Sequence, residues 1–320
     1  MKFSVVITTY NRLNLLRRAI DSALEQSIPC EVVVADDCSL DDTQSYVETL
    51  QHELSLRGDF RLIYCRSSIN LGHAATVNAG VEKSSGDWIK FLDDDDYLAP
   101  NCLEEMENAI AIHPDAAICS CIAAQVSENG EEFSRTPQLG PGLAYYIPQA
   151  DIHYGMLLEI LPFGTPVQVA CDRKAFLKAG GWDTTMTSCD DIDSWIRIAQ
   201  FGDGIFLNQC LAFRTIWSGG LDQKIALQQR LHTNILMKEK IYALVDAKHH
   251  GNIPALQDMR HYLQLHWTLV AIRTKNITNI LKIIDTSILS FHAWRLLVLV
   301  ALVRRSRHNN IHLRKFVLIN

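Results

Sequence analysis

Trp88-Ile89-Lys90-Phe91-Leu92-Asp93-Asp94-Asp95-Asp96 decides the fold: a short, mostly apolar run ends in four consecutive carboxylates. An apolar run of this length, bounded by polar residues, reads as a buried strand, so the aspartates stand at its carboxyl end. Upstream, strand and helix signals alternate. Phe3 to Thr8 is a β-branched run, and Leu16, Ile20, Ala23 and Leu24 recur at helical spacing. Glu31 to Ala35 is a second buried run. Ser39 and Asp42 read as a capping box ahead of a helix carrying Val47, Leu50 and Leu54. Arg61 to Cys65 is a third strand and Ala74 to Val81 a short helix. This alternation predicts an α/β fold: a Rossmann-like, mostly parallel central sheet flanked by helices, with ligands beyond the carboxyl ends of the strands. That rule brings Thr8 to Arg12, Asp36-Asp37 and Asp93 to Asp96 to one crevice.

Farther along, Leu103 to Ile112 reads as a helix, Ala116 to Val126 as a strand and Pro137 to Pro148 as a Gly/Pro-rich loop, followed by a second strand–helix unit. From Gln223 the pattern is helical, with Leu256, Met259, Leu263, Trp267 and Val270 on one face. The expected organisation is a domain over 1–220, divided into a nucleotide-binding half (1–100) and an acceptor half (101–220), then a helical C-terminal region over 221–320.

With 48% hydrophobic and 21% charged residues in 320, the chain can bury a core, which excludes intrinsic disorder. A net charge of -6 argues against nucleic acid, which recruits basic surfaces. Nine scattered cysteines without a CxxC pair indicate neither a zinc site nor a disulfide framework, and point to a reducing compartment. The N-terminus enters a strand at once, with no export signal. The expected location is the cytoplasm, with peripheral contact at the inner membrane face as the alternative.

Each acidic cluster has a chemistry it suits. Like charges as close as Asp93 to Asp96 repel, and a hard divalent cation, Mn²⁺ or Mg²⁺, offsets that repulsion with carboxylate ligands. A solvated acidic helix cap would look the same in isolation. Asp190-Asp191 precede Ile192, Trp195, Ile196 and Ala199 at helical spacing, so they sit at a helix N-terminus, where the dipole is expected to favour the ionised form a general base requires. At Asp36-Asp37 a carboxylate can accept the N3–H of a uracil. Tyr10 offers a flat face for a base. Asn70-Leu71-Gly72 and Asn78-Ala79-Gly80 mark a turn and a close helix approach. No GxGxxG or P-loop pattern occurs.

Order and spacing together are more specific than any one cluster. Val5 to Arg12, the segment Val34-Ala35-Asp36-Asp37-Cys38-Ser39-Leu40-Asp41-Asp42-Thr43, Asn70 to Gly80, Gly86 to Asp96, Gly180-Gly181-Trp182-Asp183 and Asp190 to Arg197 resemble, in sequence, the motifs of family 2 glycosyltransferases. The resemblance covers residues 3–220. It implies the GT-A fold and an inverting, metal-assisted transfer from a nucleotide-diphospho-sugar donor, UDP-linked by preference, to an acceptor hydroxyl on a glycan or a lipid-linked glycan. By position it implies that Thr8, Tyr10, Asn11, Asp37 and Asn78 hold the donor. Asp93 and Asp94 would contact its ribose or help order the metal, Asp95 (with Asp93) would bind the Mn²⁺ or Mg²⁺, and Asp191 would be the base. With four aspartates in a row, the metal-ligand register is open by one residue.

Two positions depart from the pattern. Val77 stands where members often carry a phosphate-binding arginine, and Arg214 is followed by Thr215-Ile216-Trp217 without the histidine many members have. The QxxRW motif of processive members is missing, which implies one addition per encounter. The competing readings are a catalytically degenerate nucleotide-sugar binding protein, a metal-dependent nucleotidyltransferase and, less well matched, a glycoside hydrolase. At the C-terminus, Arg295, Arg304, Arg305, Arg307, Arg314 and Lys315 flank the apolar run Leu296 to Val303. That segment either packs as core or lies on an anionic membrane. The oligomeric state is left open.

Overall fold

A computed structural model of the chain describes residues 1–161, 163–217, 225–273, 283–306 and 317–318, with backbone alone for 301–306 and 317–318. The chain divides into two compact units. One comprises Met1–Gln149, Pro162–Trp217 and Phe316–Asn320; the other comprises Ala150–Leu161 and Ser218–Lys315.

The first unit is built on β1 (Phe3–Thr9), β2 (Glu31–Asp36), β3 (Leu62–Arg66), β4 (Trp88–Asp93), β5 (Tyr97–Leu98), β6 (Ala116–Val126), β7 (Glu132–Arg135), β8 (Ala144–Ile147), β9 (Val169–Asp172), β10 (Asp203–Thr215) and β11 (Val317–Leu318). Their order is β11-β8-β10-β6-β9-β4-β1-β2-β3, with β5 on β10 and β7 on β6. Among the described residues only β8 and β9 along this path run against the rest, so the sheet is mostly parallel. Every residue of β1 and β2 is buried, as expected for strands covered on both faces. Their carboxyl ends lie in register with β4, Thr8 opposite Asp93 and Thr9 opposite Asp36.

The helices of this unit are α1 (Leu13–Leu24), α2 (Thr43–Leu56), α3 (His73–Lys83), α4 (Cys102–Ile112), α6 (Arg173–Lys178) and α7 (Asp190–Ile198), while α5 (Gln149–Leu157) leads into the second unit. Helix α3 lies tight on the sheet because Gly80 lacks a side chain: a Cβ there would meet Val6 Cγ1 at 2.4 Å. Lys90, inside β4, is fully buried, and its ammonium donates to the carbonyls of Phe91, Pro166, Val167 and Val169. A strand can hold a lysine there only because a polar cage receives it.

Three expectations need correction. Ser39 and Asp42 form no capping box. Helix α2 starts at Thr43 without a side-chain cap on its N-terminus, and the Ser39 hydroxyl accepts from the Asn11 amide instead. The Gly/Pro-rich stretch Pro137 to Pro148 contains strand β8, which pairs with β10. Residues Ala150–Leu161, read as part of the catalytic domain, belong with the helical unit, because Asp151 pairs with Lys248 at 2.7 Å and His249 at 2.6 Å, His249 stacks on Tyr154, and Lys238 donates to the Leu157 carbonyl.

The second unit also contains α8 (Leu227–Ala243), α9 (Leu256–Arg273) and α10 (Phe291–Ser306). Leu231, Tyr262, Leu263, Ala271 and Ile283 form its core, with Trp267, Leu296, Leu297 and Val300 packed against it.

Candidate active site

The sheet delivers the polar ends of β1, β2 and β4 to one place, and two helix N-termini complete it. After β1 the chain turns through Asn11, which has a left-handed φ of 54°, and its Oδ1 accepts from the Leu40 amide at 2.6 Å. The loops after β1 and β2 are thereby tied together. Asp37 closes the β2 end onto α3: its two carboxylate oxygens accept from the amides of Leu71 at 2.7 Å and Gly72 at 2.8 Å. Its neighbour Asp36 is buried and spent on the Ser39 amide and the Tyr64 hydroxyl. Tyr10 keeps its ring half open to solvent, while its amide lies 3.4 Å from Asp94.

Exposure alternates along the four aspartates. The side chains of Asp93 and Asp95 are 27% and 16% exposed, whereas that of Asp94 is 2% exposed and faces Arg12 at 2.8 Å. Asp96 is buried and accepts from the Thr215 amide. Asp93 and Asp95 therefore face outward, and Asp94, expected at the ribose or metal, is turned into an ion pair. Asp95 also accepts from the indole of Trp217 at 2.8 Å and lies 3.4 Å from Arg12.

His73, the first residue of α3, joins the acidic groups and was missed in the sequence. Its Nε2 is 2.9 Å from Asp93 Oδ1, to which the Thr8 hydroxyl also donates, and its Nδ1 is 3.3 Å from Asp190. The ring packs edge-on against Trp182 with centroids 5.2 Å apart. Trp182 is fixed in turn by Asn78, whose amide group donates to the Trp182 carbonyl and accepts from its N–H. Both ends of the Asn78 side chain are thus committed to the loop carrying Gly181, whose φ is +69° and where a Cβ would meet Asn78 Oδ1 at 2.6 Å. Asn78 thus ties α3 to the loop beside His73.

These distances set the electrostatics. Burial alone would suppress the charge on His73, but Asp93 and Asp190 raise its pKa well above the usual value, favouring the protonated ring. Burial alone would raise Asp93, yet His73 draws it below the usual carboxylate range. Asp94 is pushed up to about 7 by burial, and Asp95 is raised by burial and by the charge of Asp93. Asp191 stands at the start of α7, as its spacing indicated, where burial opposes the ionised form that the helix dipole favours. Burial, with Asp190 beside it, pushes its carboxyl up to about 7.

The residues fit a divalent cation in the chemistry of their donors. Asp93 and Asp95 present hard oxygen ligands, and the carboxyls of Asp94 and Asp95 are strained upward by burial and mutual repulsion that a cation would relieve. Among the described residues no group of three metal-ligating side chains occurs, so the remaining ligands would come from a diphosphate and water.

Residues 4–179 match the model of glycosyl transferase family 2, and the chain belongs to that family. It is 33% identical over 135 residues, 42% of each chain, to the GalNAc(5)-diNAcBac-PP-undecaprenol beta-1,3-glucosyltransferase of Campylobacter jejuni. The chain spans only part of the curated relatives it matches, 42% of that protein and 62% of another. Its fold is shared with TarS of S. aureus in complex with UDP-GlcNAc, at a TM-score of 0.59 and 18% identity, covering 88% of this chain and 89% of that one. It is shared as well with the mannosyltransferase PcManGT of Pyrobaculum calidifontis in complex with GDP-Man and Mn²⁺, at 0.55 and 17%, covering 98% and 88%. These similarities establish the GT-A arrangement of the sheet.

Proposed function

We propose that the protein transfers a sugar from a UDP-sugar to an acceptor hydroxyl with inversion, using a divalent cation and Asp191 as the base. One observation carries this reading: Asp37 meets the amide of Gly72, and the next residue, His73, bridges Asp93 and Asp190, so the three acidic clusters are joined by direct contacts into one centre. In this reading Thr8, Tyr10, Asn11 and Asp37 line the nucleoside, with Tyr10 offering its open ring face to the base. Asp93 and Asp95 hold the cation. A bound divalent cation supplies charge to offset that building on the leaving diphosphate. Asp191, with a carboxyl poised near neutral pH, takes the proton from the acceptor hydroxyl as it attacks the anomeric carbon and the sugar–phosphate bond breaks. The Campylobacter relative is named for an undecaprenol-linked acceptor, which supports an acceptor presented at a membrane surface.

The test is a screen of nucleotide sugars with and without Mn²⁺, following the released nucleotide. Release of UDP with transfer to a glycan supports the reading. Release of pyrophosphate from a nucleoside triphosphate would replace it with nucleotidyl transfer, and UDP-sugar binding without turnover would leave a binding protein.

A further inference from the structure

Helix α10 is apolar on two faces. Ala293, Leu296, Leu297 and Val300 are turned toward the core of the helical unit. Phe291, Trp294, Val298 and Leu299 recur at i, i+3, i+7 and i+8 and are exposed, and Leu289, just before the helix, extends the stripe. Leu289 and Phe291 are 84% and 75% exposed, and what sets them apart from apolar residues scattered singly is that they continue into Trp294, Val298 and Leu299 on one face. The indole N–H of Trp294 is spent on the Ile288 carbonyl, so the ring offers only apolar surface outward.

The sequence that carries and follows this stripe is charged with one sign, although Asp258 pairs with His292 beside Phe291. After Asp285 the chain has no Asp or Glu, while Arg295, Arg304, Arg305, Arg307, Arg314 and Lys315 make six basic residues. The first 285 residues hold the other 24 basic residues against all 36 acidic ones. Arg295 is exposed on α10; Arg304 and Arg305 end the helix with side chains that are not described, and Arg307, Arg314 and Lys315 lie outside the described residues. Among the described residues no helix is long and apolar enough to cross a membrane.

We propose that the exposed stripe of α10 docks on the surface of an anionic lipid bilayer, lying in the interface with Phe291, Trp294, Val298 and Leu299 inserted and Arg295 on the headgroups. An apolar stripe beside basic side chains is the pattern of interfacial helices, and aromatic rings are favoured at that depth. A second copy of the chain fits less well, since it would bring the same charge to Arg295 where an anionic surface complements it. The two options the sequence left open, core or membrane, thus fall on opposite faces of one helix. This deepens the proposal of a membrane-borne acceptor but is tested separately from it.

The test is flotation of the full chain with vesicles of phosphatidylcholine alone or mixed equally with phosphatidylglycerol, in 50 mM and 500 mM NaCl. The expected result is binding to the anionic vesicles at least tenfold stronger than to the neutral ones, weakened by salt, and lost at least tenfold in the double variant Phe291→Ser/Val298→Ser. Arg295→Glu should weaken it to a lesser degree. Both sites are exposed, so the variants should keep the parent's melting temperature. A blue shift of tryptophan emission with anionic vesicles, missing in Trp294→Phe, places the stripe itself in the bilayer. Equal binding by parent and double variant, or none by the parent, overturns the proposal. So does a lipid-free dimer in sedimentation that the double variant abolishes, which would assign the stripe to self-association. Stabilisation by UDP and Mn²⁺, measured on the same samples, reports on the sugar-transfer reading independently.

Discussion

His73 Nε2 lies 2.9 Å from Asp93 Oδ1, so the first residue of α3 grips the outward-facing carboxylate at the end of β4. Through its other nitrogen the same ring reaches Asp190, one residue before the proposed base. Two acidic groups that would repel are held together by the imidazole between them, and the proposed cation-binding carboxylate is linked through one ring to the neighbour of the proposed base.

His73→Ala should therefore loosen the start of α7 against β4. Misplacement of a reacting group by about an ångström costs on the order of 10²-fold in rate. We expect kcat to fall about 10- to 100-fold with KM for the donor changed little, and His73→Gln to recover part of the loss by restoring one hydrogen bond. Steady-state kinetics with the donor varied separates this from a general loss of fold, which would lower the active fraction without distinguishing the two variants.

Asp191→Asn should collapse transfer by about 10²–10⁴-fold while leaving donor binding intact. The same change should stabilise the fold. Because the folded protein holds this proton more tightly than the unfolded chain, stability is lost as pH rises from the ordinary carboxylate range through about 7. Tenfold in acidity is worth about 1.4 kcal/mol, so at pH 8 asparagine should gain roughly 1–3 kcal/mol, read as a higher melting temperature. An unchanged rate in this variant would remove Asp191 from the role of base.

The rate should rise with pH as the Asp191 carboxyl ionises. In the free enzyme the midpoint is expected near 7, where the Asp191 carboxyl titrates, and with donor and cation bound it should move lower, since a nearby cation favours the charged carboxylate. Profiles of kcat/KM and kcat measure the two states. A kcat/KM profile flat from pH 5.5 to 8 contradicts the assignment.

Gly80→Val should destabilise the first unit by about 1–3 kcal/mol through overpacking. The added side chain would drive into Val6 and Ala35 where α3 crosses the sheet. Chemical denaturation measures this directly, and a variant as stable as the parent would show that α3 can lift off β1 at no cost.

Much of this arrangement was legible in the sequence because it is local. The alternation of buried runs with helical spacing located β1 to β4, and the strand-end rule brought Thr8, Asp37 and Asp93 to one edge. What was not legible depends on distant partners. The four aspartates could be sorted into outward and inward pairs only once Arg12 and the Thr215 amide were seen to claim Asp94 and Asp96. The contacts of Asn78 with Trp182, far along the chain, were not foreseen either. His73 follows Asn70-Leu71-Gly72, a turn that already marked a helix start, and a histidine there was the one available signal; its partners Asp93 and Asp190 are remote in sequence. Trp217 gave none. For Asp191 the local feature, a helix N-terminus, pointed to easy ionisation, and burial beside Asp190 opposes it.

The most direct measurement is calorimetric titration of UDP in the presence of Mn²⁺ into the parent, Asp95→Ala and Asp191→Asn. We expect binding by the parent and by Asp191→Asn, and its loss, together with the loss of Mn²⁺ dependence, in Asp95→Ala. Binding by Asp95→Ala as tight and as Mn²⁺-dependent as the parent's would contradict a donor site built on the outward-facing aspartates of β4.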